Sequence, residues 1–191
     1  MYIGIDPGIR MIAWASLDDD GLLQDGGLDY NPSKSSHLNE KTFEVIQLFN
    51  KRICSYGSNR VAVEFTYSRF NIPSPHIAYL LAFISGAIYS KCDSCGWQCS
   101  PVGPSTWQKV KKKEGETAKE ANWNYYSSLL TKKQMNAIMK VDEKLKEADR
   151  HNFRDAVCIA YWRYWLDHPL KNENETRSKK SSGRNSRKQL S

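Results

Sequence analysis

Residues 1–30 carry three short apolar runs separated by gaps too short for anything but turns. Tyr2, Ile3 and Ile5 make the first, which closes at Asp6-Pro7-Gly8. Residues 11–17 make the second, and Asp18, Asp19, Asp20 and Gly21 form the turn after it. Residues 22–30 make the third, interrupted by Gly26 and Gly27. Gaps of this length, rich in Asp and Gly, fit an antiparallel meander and leave no room for a crossover helix. The period then changes. Phe43, Ile46, Phe49 and Ile53 recur at helical spacing within residues 36–56. Val61, Ala62, Val63 and Phe65 read as a buried strand, and Pro73-Ser74-Pro75 precede a helix over 76–91. Residues 97–102 read as a last strand. A strand–helix–strand order implies parallel pairing with a right-handed crossover. The expected fold is therefore α/β: a mixed five-stranded sheet, antiparallel meander first and parallel strands after, flanked by helices. Helices are also expected over 116–130, 132–140 and 143–167, with Pro169 beyond the last.

Charge divides the chain in two. The 191 residues carry a formal charge of +7. From Lys171 onward there are seven basic and two acidic residues, with no core residues among them. Residues 169–191 therefore read as a disordered cationic tail, and residues 1–168 as one nearly balanced domain. A composition of 40% hydrophobic and 26% charged residues excludes disorder of the whole chain. No apolar run reaches the ~20 residues that span a bilayer, and no secretory signal is visible. The expected setting is cytoplasmic, with Cys54, Cys92, Cys95, Cys99 and Cys158 reduced. The spacing of Cys92, Cys95 and Cys99 invites a zinc reading, but no local His completes four ligands, and thiols beside the core are the expectation.

Three acidic residues stand where acidic residues are costly. Asp6 closes an apolar strand, Glu64 interrupts one, and Asp155 lies in a largely apolar helical stretch. Each alone has an ordinary reading: a turn aspartate, a glutamate on a solvated sheet face, an exposed helix residue. Together they are harder to dismiss. If the first and fourth strands are neighbours, Asp6 and Glu64 converge at their ends, and the late helix could lay Asp155 beside them. Three carboxylates without a basic residue beside them repel one another, and a divalent cation resolves that. Oxygen ligands suit Mg²⁺ or Mn²⁺.

This order of elements resembles the RNase H-like fold. The motifs resemble those of RuvC-type Holliday junction resolvases, in particular the divergent ones of phages. They are Ile3-Gly4-Ile5-Asp6-Pro7-Gly8, then Val61-Ala62-Val63-Glu64, then Asp149-Arg150-His151-Asn152-Phe153-Arg154-Asp155-Ala156. The first alone also opens sugar-kinase-like ATPases, but no phosphate loop follows in the second half. The resemblance covers residues 1 to about 166. It implies that Asp6, Glu64 and Asp155 are metal ligands, with Mg²⁺ as cofactor and Mn²⁺ substituting. The family places a further Asp or His three residues before the last Asp, where this chain has Asn152. His151 and Asp149 are the other choices for that ligand. His151 and Asn152 are favoured, because Asp149 falls about 120° around the helix from Asp155. Lys119 matches a family lysine near the site. Gln108 stands where another would fall, with Lys109 next to it.

The same resemblance makes Tyr67, three residues after Glu64, the aromatic that stacks at a junction centre. Lys109, Lys111, Lys112 and Lys113, beside Trp107, form a basic cluster suited to phosphate backbone. The implied function is a metal-dependent endonuclease on branched DNA: four-way junctions, forks and flaps. A homodimer is implied as well, with the helix over 76–91 and its Ile77, Leu80, Leu81, Ile84 and Ile88 as the candidate interface. An RNA–DNA hybrid nuclease of the same fold and a non-catalytic branched-DNA-binding protein are the alternatives.

Overall fold

A computed structural model of the chain describes residues 1–53, 60–65, 74–108 and 113–170. Five strands form one sheet in the order β3-β2-β1-β4-β5. They are β1 Tyr2–Pro7, β2 Met11–Leu17, β3 Leu23–Tyr30, β4 Arg60–Glu64 and β5 Gln98–Val102. The first three are an antiparallel meander, and β1/β4 and β4/β5 pair in parallel. The expected mixed sheet is thus the observed one. The helices are α1 Leu38–Ile53, α2 Pro75–Ser94, α3 Pro104–Trp107, α4 Ala118–Ser128, α5 Lys132–Asp142 and α6 Arg150–Asp167. Among the described residues no helix is long and apolar enough to cross a membrane.

At the centre of the sheet, beneath α6, the strands sort their residues by size onto two faces, with larger Tyr2, Leu17 and Val102 on the α6 face only toward its periphery. Ile3, Ile5, Ile12, Trp14, Val61 and Val63 meet α1 and α2. On the other face Ala13, Ala15 and Ala62 meet α6, and Gly4 lies beneath it. Alternation along a strand puts Asp6 and Glu64 on this second, small-residue face. Bulky aliphatics hold one helical layer at ordinary distance, and small residues let α6 sink onto the other. A Cβ on Gly4 would collide with the Ala156 carbonyl and the Ala160 amide of α6. The face of Glu64 is therefore not a solvated one, because Ala62 on the same face is fully buried.

Two expectations need correction. The last helix starts at Arg150 and not at 143: residues 143–146 turn, and Glu147–Asp149 form a 3-10 turn. Its start is set by an ion pair that periodicity cannot show. Buried Asp142, ending α5, accepts from Arg154 Nε at 3.0 Å and Nη2 at 2.7 Å, which folds the intervening segment back. Second, Leu80, Ile84 and Ile88 of α2 are buried within this chain, so they are not free to form an interface. Cys92 and Cys99 lie in or against the core on the α1/α2 side, as expected for core thiols, whereas Cys95, just past the end of α2, is exposed. The tail from residue 171 lies outside the described residues.

Candidate active site

The site forms where β1 and β4 end beneath α6. The last paired rung of β1 and β4 is Ile5 with Val63, so Asp6 and Glu64 follow it side by side on adjacent strands. Asp155 lies one turn into α6, buried, and its carboxylate is charge-coupled to both. Burial first, then the Glu64 and Asp155 charges, push the Asp6 carboxyl well above the usual range, against the Lys119 ammonium. Burial pushes Glu64 up to about 7. The Trp107 hydrogen bond opposes that rise, Asp155 adds to it, and Lys119 opposes it. Asp155 is also raised by burial, with Lys119 and His151 opposing.

Each carboxylate is held differently. Lys119, half-exposed near the start of α4, places Nζ 3.1 Å from Asp155 Oδ2. Its helix is fixed there by a capping box, in which Thr117 and Glu120 satisfy each other's backbone N–H groups. Trp107 Nε1 donates to Glu64 Oε2 at 2.9 Å, and Ser85 Oγ donates to the Glu64 carbonyl at 2.9 Å. No hydrogen bond or ion pair to any described residue ties down the Asp6 carboxylate.

A crevice of about 550 Å³ opens over the site. Asp6, Glu64, Lys119, Asn152 and Asp149 line it, with Arg10 at its edge. A second crevice, also about 550 Å³, lies on the far side of Lys119 and Asp155 and is lined by His151, Lys113 and Trp123. The candidates for a fourth ligand therefore separate. Asn152 shares the crevice of Asp6 and Glu64, whereas His151 is exposed and shares the crevice of Asp155. Asp149 also borders the first crevice but accepts a 2.6 Å hydrogen bond from the Tyr30 hydroxyl. Lys113 stands in the second crevice, apart from Asp6 and Glu64. Tyr67, Lys109, Lys111 and Lys112 lie outside the described residues.

The donor set fits a hard divalent cation. It offers carboxylate oxygens and an amide oxygen, with negative charge in excess of the one lysine. Among the described residues no three His, Cys, Asp or Glu side chains are drawn together around a single ion position. The Lys119 ammonium is the cation that Asp155 meets. Arg10, Ser85 and Trp107 are site residues that the sequence pattern did not single out. For Trp107 a signal was there to read, since a tryptophan three residues after Pro104 that buries its ring needs an acceptor for its N–H.

No protein-family model matches the sequence, and no curated protein matches it. Solved structures do. The T. thermophilus RuvC in complex with a Holliday junction substrate superposes with a TM-score of 0.60 at 17% identity, covering 88% of this chain and 97% of that one. A second Thermus thermophilus RuvC structure gives 0.50 at 19% identity, covering 87% and 95%. The yeast mitochondrial Holliday junction resolvase gives 0.50 at 12% identity, covering 87% and 80%. The sheet order, the layer of α6 on its small-residue face and these superpositions agree on one architecture: the chain has the RNase H-like fold of RuvC-type resolvases.

Proposed function

We propose that this chain is a metal-dependent, structure-selective endonuclease that cuts branched DNA, four-way junctions above all. The observation that carries the reading is that Asp6 and Glu64 line one crevice with Lys119, while Asp155, from a third element, is ion-paired to that lysine at 3.1 Å and acts electrostatically on both carboxylates. Sheet packing alone gives no reason to gather three half-buried or buried carboxylates at one strand end. Asp6, Glu64, Asp155 and the Asn152 amide oxygen would hold Mg²⁺, or Mn²⁺ in its place. A divalent cation bound there supplies the charge that activates a water and stabilises the leaving oxygen of a phosphodiester.

The protein's own part is orientation and charge. Among the described residues no side chain hydrogen-bonds or ion-pairs with the Asp6 carboxylate, which suits it to the centre of the site. Glu64 is aimed by Trp107. Lys119, half-exposed, has the reach to leave Asp155 for a transferring phosphate and neutralise its developing charge. His151 and Lys113 flank the path beyond Asp155. Lys109, Lys111, Lys112 and the tail supply sequence-independent phosphate contacts. Tyr67 stacks on an unpaired base.

Symmetric cutting of a four-way junction needs two active sites, which a twofold homodimer supplies. The helix α2 is suited to join them. One side of it, through Ile77 and Leu81, borders the catalytic crevice, and another, through Tyr79 and Phe83, borders an exposed apolar groove with Phe43. The test is cleavage of an end-labelled four-way junction with Mg²⁺, Mn²⁺ or EDTA, beside linear duplex and RNA–DNA hybrid. Paired nicks near the branch, absent in EDTA and in Asp6→Asn, are expected. Preferential cutting of the hybrid would replace the substrate. Junction binding without any cut would make the protein a non-catalytic binder.

A further inference from the structure

Trp107 is one of the largest fully buried side chains of the molecule, 2% exposed, yet its N–H does not turn to a backbone carbonyl in the core. It turns to a carboxylate at the edge of the crevice, Glu64 Oε2, at 2.9 Å. Its own position is fixed from behind. The Tyr126 hydroxyl donates to the Trp107 carbonyl at 3.1 Å, and the Tyr126 ring stacks on Trp165 with centroids 5.4 Å apart and planes 13° apart. Gln108 N–H closes the α3 turn on the Pro104 carbonyl at 2.8 Å.

Glu64 is equally fixed in its backbone. Ser85 of α2 holds its carbonyl, and the next residue, Phe65, donates its N–H to the Val102 carbonyl of β5 at 2.8 Å. Only the side-chain torsions of Glu64 remain free, and the indole removes that freedom. We propose that Trp107 is a positioning residue for Glu64: its N–H occupies one carboxylate oxygen and so presents the other to a divalent cation in the crevice. This inference rests on the reading of the crevice as a metal site. A glutamate ordered beforehand loses no torsional freedom when the ion arrives, and groups that orient a metal ligand in this way commonly change affinity 10–100-fold.

The test is direct binding of Mn²⁺ to the full chain at one pH, with the free ion counted by electron paramagnetic resonance. The arms are the unaltered protein, Asp6→Asn, Trp107→Phe and Tyr126→Phe. Trp107→Phe keeps a large ring and removes the donor. Tyr126→Phe removes the hydroxyl that holds the Trp107 carbonyl, keeps the ring stacked on Trp165 and leaves the indole donor in place. Affinity is expected to fall by about 10-fold or more in Trp107→Phe and to stay within about twofold in Tyr126→Phe. Equal losses in the two would reduce Trp107 to a packing residue, and no loss in Trp107→Phe would overturn the inference outright. Should Trp107→Phe fail to fold, the indole ¹H–¹⁵N resonance of Trp107 in the unaltered chain decides. It must move during a Mg²⁺ titration with the midpoint of ion binding, and a stationary resonance overturns the inference. An unaltered protein that takes up no ion, or Asp6→Asn that takes it up unchanged, removes the metal site itself and this inference with it.

Discussion

At the scale of single residues, the site is a set of charges under strain from one another. Glu64 illustrates the sign. Its carboxyl is raised to about 7 by burial, with Asp155 adding and Trp107 and Lys119 opposing. A carboxyl whose folded pKa lies above its unfolded value binds protons more tightly in the folded state. Its unfavourable contribution is absent below the unfolded pKa, develops as pH rises from about 4.5 to 7, and is complete above that. A shift of this size is worth at most about 3 kcal/mol. In EDTA, Glu64→Gln should therefore melt higher than the unaltered protein at pH 8, by up to roughly 10 °C for a chain of this size, and no higher at pH 4.5. The Gln amide oxygen still accepts from Trp107, so the hydrogen bond is not the variable. Adding Mg²⁺ should raise the melting temperature of the unaltered protein at pH 8 and leave Glu64→Gln nearly unmoved. A pH-independent difference between the two would remove Glu64 from the charge balance of the site.

Arg10 belongs to the same scale. It is exposed at the edge of the crevice on the turn between β1 and β2. Asn31 pins that turn, its backbone N–H donating to the Arg10 carbonyl at 2.8 Å and its Nδ2 to the Ile9 carbonyl at 3.0 Å. An exposed guanidinium on a turn with a pinned backbone, at the edge of a carboxylate crevice, suits a phosphate of the DNA proposed to bind there. In the Asp6→Asn background, Arg10→Ala should weaken junction binding and lower the slope of log affinity against log salt by about one. Melting should not change. An unaltered slope would remove Arg10 from the contact surface.

At the scale of elements, the critical contact is β1 against α6. Gly4 is required there by close approach, since Ala156 and Ala160 occupy the space a Cβ would need. The obstacle is helix backbone, which cannot rotate away. Gly4→Ala should cost about 3 kcal/mol or more and move α6, with Asp155, off the sheet. A lower melting temperature together with weakened ion binding is the expected pair of results. Unchanged binding in a destabilised protein would show that α6 tolerates the shift without moving its carboxylate. This contact also marks what a sequence discloses. Short gaps between apolar runs were enough for the meander, and Asp6 and Glu64 stood out because carboxylates are expensive in apolar strands. The start of α6 did not, because it depends on Asp142 meeting Arg154 across a turn. Nor did the hold of Trp107 on Glu64 or of Tyr30 on Asp149, which join positions far apart in the chain. α2 was ambiguous for another reason: apolar on most sides, its pattern does not say which side faces the sheet.

At the scale of the whole molecule, the proposed cleavage of a four-way junction requires two sites to act together. The apolar stripe of α2 that faces the sheet is already occupied. What it leaves outside is a small aromatic face: Tyr79 at 67% exposure, Phe83 at 39%, and Phe43 of α1 at 57%, with the Phe43 and Phe83 rings 5.7 Å apart. A face of this kind, on a helix that also walls the crevice of Asp6 and Glu64, would couple the geometry of the proposed dimer to the separation of its two sites. The double variant Tyr79→Glu with Phe83→Glu would set four carboxylates against one another across a twofold contact, which such an interface cannot hold. Sedimentation should then report a monomer. Ion binding should persist, because neither residue lines the crevice. Cutting should change from paired nicks that resolve a four-way junction to single, uncoordinated nicks. A variant that remains dimeric and still resolves junctions would place the twofold contact on another surface, and the exposed aromatics of α1 and α2 would lose their role in setting the distance between the sites.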